Sequence, residues 1–117
     1  MMRKERRKYF RFDCSCFGEA RFQNSSVEKV SIKNLSVQGL KIVSGHQCIS
    51  IGDPVEVRID IPGRQIPPLV SGQIRWIHEE PESTELGIQL NELNNDTRRE
   101  LMDYGFSVWR DRMQHSH

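Results

Sequence analysis

A chain of 117 residues with 36% hydrophobic and 28% charged side chains can bury one real core but leaves little room for an elaborate catalytic cleft. No run approaches the roughly 20 apolar residues of a membrane span, and 8 Gly with 5 Pro exclude collagen-like and low-complexity classes. The net charge of +1 hides an asymmetry: residues 1–11 hold six basic side chains (Arg3, Lys4, Arg6, Arg7, Lys8, Arg11) against Glu5, a net of +5, while the other 106 hold 11 basic and 15 acidic, a net of −4.

The chain therefore opens with a positive arm, residues 1–12, whose expected partner is an anion. No apolar h-region follows it, so no secretory signal is expected. The three cysteines, Cys14, Cys16 and Cys48, form no disulfide framework and suit a reduced, cytoplasmic setting.

Short β-like runs then recur at regular spacing over residues 13–93. Gly18–Gln23 places Ala20 and Phe22 on one face. Asn24-Ser25-Ser26 reads as a turn. Val27–Ser36 alternates through Val30 and Ile32, and Gly39–Ser44 is a third run. Val55–Ile61 alternates without a fault and ends at Pro62-Gly63. Leu69–His78 is expected to set Val70, Ile74 and Trp76 on one face across Gly72, and Leu86–Leu90 is the last strand. Six short strands with tight turns predict a mainly β fold, a small closed antiparallel barrel, because closure removes exposed edges.

The period changes near the end. Asn94 to Thr97 offers several N-caps, and Thr97 with Glu100 fits a capping box. A C-terminal helix over 96–113 follows. Met102, Phe106, Trp109 and Met113 recur at helical spacing, with Leu101, Tyr104 and Val108 beside them, and the helix is expected to cover part of the barrel. Gly105 in its middle predicts a kink or a close contact. With no linker in view, residues 1–117 read as one domain.

Enzyme signatures are missing. There is no Gly-rich phosphate loop, no His-Glu-x-x-His and no Cys-x-x-Cys. Cys14-x-Cys16 with Cys48 matches no common zinc spacing and reads as alternate positions of an early strand. No catalytic residue, metal or cofactor is expected.

Two motifs carry chemistry. Arg7 and Arg11, with Arg6 before them, offer planar forks of donors that fit phosphate bidentately and stack on flat rings. On its own the run also fits a solvated basic tail. Asn34-x-Ser36-x-x-Gly39 joins the second and third runs. Asn34 and Ser36 share a side if the segment is extended. Gly39 allows a positive φ or a close ligand approach. The same residue types also make ordinary turns.

An RxxxR arm before the first strand, followed after about two dozen residues by (Asp/Asn)-x-Ser-x-x-Gly, resembles the PilZ family. Gly72-Gln73-Ile74-Arg75-Trp76, Leu86–Leu90 and the terminal helix are similar to that family's late strand pair and helix, so the likeness spans nearly the whole chain. Asn34 stands where many members have Asp. The resemblance implies a six-stranded barrel with a helix and a non-catalytic bacterial receptor for cyclic di-GMP, bound between arm and barrel by Arg6, Arg7, Arg11, Asn34, Ser36 and Gly39. In that picture the arginines take phosphates or guanine edges and faces. Asn34 accepts from a guanine N–H, Ser36 donates to phosphate or base, and Gly39 makes room for a purine. The arm orders on binding and addresses a downstream protein. Family members take one nucleotide or two stacked ones, and Arg6, a third guanidinium beside the motif, points to two. The rival readings are a PilZ-like interaction module that binds no nucleotide, and a nucleic-acid binder, which the net −4 of the body disfavours.

Overall fold

The computed structural model describes residues 12–23, 26–45 and 48–114. Six strands, β1 (Phe12–Arg21), β2 (Val27–Leu35), β3 (Gly39–Ser44), β4 (Pro54–Asp60), β5 (Leu69–Glu79) and β6 (Thr84–Leu90), precede one helix, α1 (Asn95–Gln114). The strands close into a barrel in the order β1-β2-β3-β6-β5-β4, and every neighbouring pair is antiparallel.

Alternation explains the core. In β4, Val55, Val57 and Ile59 point inward and Glu56, Arg58 and Asp60 outward, the period of two that a half-buried strand requires. Ile32, Ile42, Ile59, Ile74 and Leu86 come from five strands and meet at the centre with no more than trace exposure. Truncating one to Ala removes its transfer energy and leaves a cavity, about 2–5 kcal/mol.

β1 starts earlier than its clean alternation suggests. A bulge between Asp13 and Cys16 shifts its register against β2. Cys14 and Cys16 both lie inside the barrel, the alternate positions expected of them. A hydrogen bond with Cys14, aided by one from the Tyr104 hydroxyl of α1, holds the Cys16 thiol down at about 7 against the opposing effect of burial. Burial and the same bond push the Tyr104 hydroxyl above the ordinary phenol range. The helix is thus anchored on β1.

Three expectations are corrected. Trp76 does not share a face with Val70 and Ile74. A bulge between Ile74 and Trp76 resets the period at Arg75, so Trp76 stands outside the barrel and Ile77 turns inward instead. The helix does not rest on Met102, Phe106, Trp109 and Met113, all of which are exposed; Leu101, Tyr104, Gly105 and Val108 face the barrel. Gly105 therefore lies on the packed face. The helix is capped by Asn94, whose side-chain oxygen accepts from the Thr97 N–H at 2.8 Å and whose carbonyl accepts from the Arg98 N–H at 3.0 Å. Glu100, free of the supposed capping box, pairs with Arg64 of the β4–β5 connection at 3.5 Å. No helix among the described residues is long and apolar enough to cross a membrane.

Candidate functional site

Register builds the site. Asp13 pairs with Asn34, Asn34 with Lys41, Lys41 with Gly87, and Gly87 with Trp76. Directly paired residues face the same way, so these five form one row across five adjacent strands on the outside of the barrel. With about 4.8 Å between strands, Asn34 and Trp76 stand roughly 14 Å apart. Between them lies a cleft of about 550 Å³, lined by Asn34, Gln38, Gly39 and Lys41 on one side and Arg75, Trp76, Ile88 and Gln89 on the other. That volume lies within the usual range for small-molecule sites.

The end with Trp76 is a platform. Its indole lies over Gly87, where an added Cβ would fall 2.1 Å from the ring nitrogen. Glycine at 87 is what lets the ring lie down on the sheet, and Trp76 as a whole is left 41% exposed. A flat, half-exposed ring beside cations suits stacking of a planar ligand group. Arg75, thrown outward by the bulge, donates to the Gln89 side-chain oxygen. Lys41 pairs with Glu85 at 3.8 Å.

The opposite end carries the second sequence motif. Asn34 donates from Nδ2 to Asp13 Oδ1 at 3.0 Å. A carboxylate only accepts, so this bond fixes the amide with its oxygen directed away from Asp13. A bulge between Ile32 and Asn34 is what turns Asn34 outward and Leu35 inward. Ser36 does not share its side. β2 ends at Leu35, and Ser36 is buried to 3%. Its Oγ accepts from the Gln38 and Gly39 N–H groups, both at 3.1 Å, while its own N–H donates to the Gly39 carbonyl at 2.9 Å. The Gln38 carbonyl accepts from the Leu90 N–H at 2.9 Å, which pins this turn to the end of β6.

Gly39 is used for close approach rather than for a positive φ, which among the described glycines only Gly52 and Gly63 adopt. A Cβ on Gly39 would come within 2.8 Å of the Ile88 carbonyl oxygen. Its approach partner is thus the neighbouring strand, and its backbone still lines the cleft.

Arg6, Arg7 and Arg11 lie outside the described residues. The described chain begins at Phe12, which pairs with Leu35, one residue from Ser36. The sequence therefore enters the barrel beside the Asn34–Gly39 turn. Gln38, Lys41, Arg75, Trp76 and Gln89 were not anticipated as site residues. They come from β3, β5, β6 and a turn, and only the strand order brings them together. Gly87 opposite an aromatic was the one local signal available. Among the described residues no three His, Cys, Asp or Glu side chains converge as a metal-holding set.

Comparison with known proteins agrees with this geometry. A family model described as the PilZ domain matches residues 5–107. Among solved structures, the PilZ domain of YcgR from Escherichia coli with c-di-GMP superposes with a TM-score of 0.76 at 18% identity, over 94% of this chain and 97% of that one. The Bacillus subtilis inhibitor of motility, MotI/DgrA, gives 0.74 at 17% identity over 94% of this chain and 54% of its own. The K. pneumonia MrkH–c-di-GMP complex gives 0.74 at 11% identity over 95% and 56%. The chain thus spans nearly all of the first but only about half of the other two. No curated protein matches it by sequence.

Proposed function

The chain belongs to the PilZ family, and from that footing we propose that it is a cytoplasmic, non-catalytic receptor for cyclic di-GMP whose N-terminal arm closes over the cleft when the nucleotide is bound. The observation that carries this reading is the position of Phe12. It sets the start of β1 beside the Asn34–Gly39 turn, which supports a reading in which the RxxxR motif acts on the cleft that Asn34 and Gly39 line. From Phe12 back to Arg7 is five residues, a reach of up to roughly 17 Å, against about 19 Å for the four strand spacings from β1 to β5, so the arginine side chain covers the remainder.

Each residue then has a task. Arg7 and Arg11 take phosphate oxygens or a guanine O6/N7 edge through paired N–H donors. Asn34, its amide set by Asp13, accepts from a guanine N–H. Ser36 and Gly39 act by shape: the hydroxyl holds the turn, and the missing side chain keeps β3 against β6. Trp76 offers a face to a guanine. Arg6 adds a third guanidinium, and with it two stacked nucleotides, carrying four phosphates, fit one protomer. The ordered arm is the surface read by a downstream protein, and DNA is not a partner.

Titration calorimetry with cyclic di-GMP tests the reading. Saturable binding, selective over cyclic di-AMP and weakened at least tenfold by Arg7→Ala or Arg11→Ala, is expected, since losing one member of a desolvated charge pair costs about 2–5 kcal/mol. No heat from a folded protein would favour the nucleotide-free interaction module. A stoichiometry of one that Arg6→Leu leaves unchanged would remove the two-nucleotide model while keeping the receptor.

A further inference from the structure

Asparagine is an ambiguous reader of bases. Its amide carries an acceptor oxygen and a donor nitrogen side by side, and together they match the N6/N7 edge of adenine bidentately. The Watson–Crick edge of guanine instead offers two adjacent donors, N1–H and N2–H, and asks for an acceptor alone. A guanine site that relies on Asn34 must therefore take the amide nitrogen out of play.

Asp13 does that. The bulge before Asn34 brings it out on the same side of the barrel as Asp13, its partner across the β1–β2 seam, and Nδ2 donates to Asp13 Oδ1 at 3.0 Å. A carboxylate only accepts, so the amide cannot turn over and keep the bond. On the other flank Asn34 pairs with Lys41, a residue of the cleft lining. An anion thus stands on the side of the nitrogen and a cation on the side of the oxygen, and both favour the same orientation. Asn34 lines the cleft and Asp13 stands one strand behind it, so Asp13 acts on a base through Asn34.

We propose that Asp13 sets the base selectivity of this site: by holding the Asn34 nitrogen it leaves an acceptor-only reader, which suits guanine and turns adenine away. The inference rests on the receptor reading above and adds to it the residue that decides between two nucleotides of equal charge. Cyclic di-GMP and cyclic di-AMP share their sugar–phosphate ring, so phosphate contacts position both alike and only the base edge separates them.

A hydrogen bond to a charged group biases the amide about tenfold or more toward the held orientation. The ratio of the two affinities carries that factor. Removing a carboxylate also relieves its repulsion of any anionic nucleotide. A single affinity therefore moves for two reasons, and the ratio isolates the amide.

Calorimetry with cyclic di-GMP, and competition by cyclic di-AMP, on the full chain tests it. Asp13→Ala should lower the ratio about tenfold, and Asp13→Asn, which keeps the size but can bond in either sense, should lower it too. Asn34→Asp supplies acceptors only and needs no holding, so adding Asp13→Ala to it should leave the ratio within about twofold. A ratio within about twofold of wild type in Asp13→Ala overturns the proposal, including the case where lost structure weakens both nucleotides in proportion. So does an equal fall in both backgrounds, which would put Asp13 against the base itself. A folded wild type that binds neither nucleotide takes the receptor reading down as well, whereas the first two results leave that reading standing.

Discussion

Replacing Ser36 by Ala separates two jobs that its motif confounds. The hydroxyl is buried and accepts from two backbone N–H groups, of Gln38 and Gly39. Removing it strips both donors of their acceptor at once. A buried donor left without a partner costs about 1–3 kcal/mol. These two are part-buried, so water recovers some of the loss, and about 2 kcal/mol in total is the expected destabilisation. At roughly 4 °C per kcal/mol for a domain of this size, the melting midpoint should fall by about 8 °C. Thermal unfolding followed by circular dichroism measures that, and calorimetry well below the transition measures nucleotide affinity in the folded fraction. If the hydroxyl serves the turn, stability drops and affinity falls less than it does for Arg7→Ala. An unchanged midpoint with affinity lost at least tenfold would refute the reasoning, because it would make Ser36 a direct ligand contact.

Gly87→Ala should push the Trp76 indole off the sheet, since the new methyl would occupy the ring's place; the tryptophan fluorescence should shift while the barrel's far-ultraviolet spectrum persists, and nucleotide affinity should fall as it does in Trp76→Ala. Cys48 is exposed, whereas Cys14 and Cys16 are buried, so a thiol reagent at pH 8 should label one equivalent rapidly and the other two only in denaturant. Asn94→Ala should cost about 1 kcal/mol by uncapping α1, visible as a drop of about 4 °C in the midpoint, while Thr97→Ala should cost less because Thr97 contributes its backbone N–H to the cap.

The barrel was largely readable because inward positions obey a strict period. Val55, Val57 and Ile59 carry the pattern without interruption. What defeated the reading was a change of period within an element. Arg75 looks like any outward strand residue, yet it is the extra residue that reverses Trp76. The helix posed a different problem. It has two apolar stripes, and the more hydrophobic-looking one, with Trp109 and Phe106, stays outside. Gly105 lies on the other face, the one packed on the barrel. The site was half legible for a related reason. Asn34 and Gly39 sit in one contiguous motif, but Lys41, Arg75 and Gln89 become neighbours only after β6 has inserted between β3 and β5.

That insertion also governs how the chain can reach its native state. β1, β2 and β3 form one meander of consecutive strands and β4, β5 and β6 another, and both can form early. The two remaining seams are long-range: Gly18 must find Ile59, and Leu40 must find Ile88. Until β6 arrives, β3 and β5 both present open edges, and the cleft, whose floor is the β3–β6–β5 junction, does not exist. Closing such loops before their contacts repay the lost entropy makes for slow folding. The cleft is therefore among the last parts of the molecule to form during synthesis, and any lesion in Thr84–Leu90 leaves two sticky edges where the closed barrel has none.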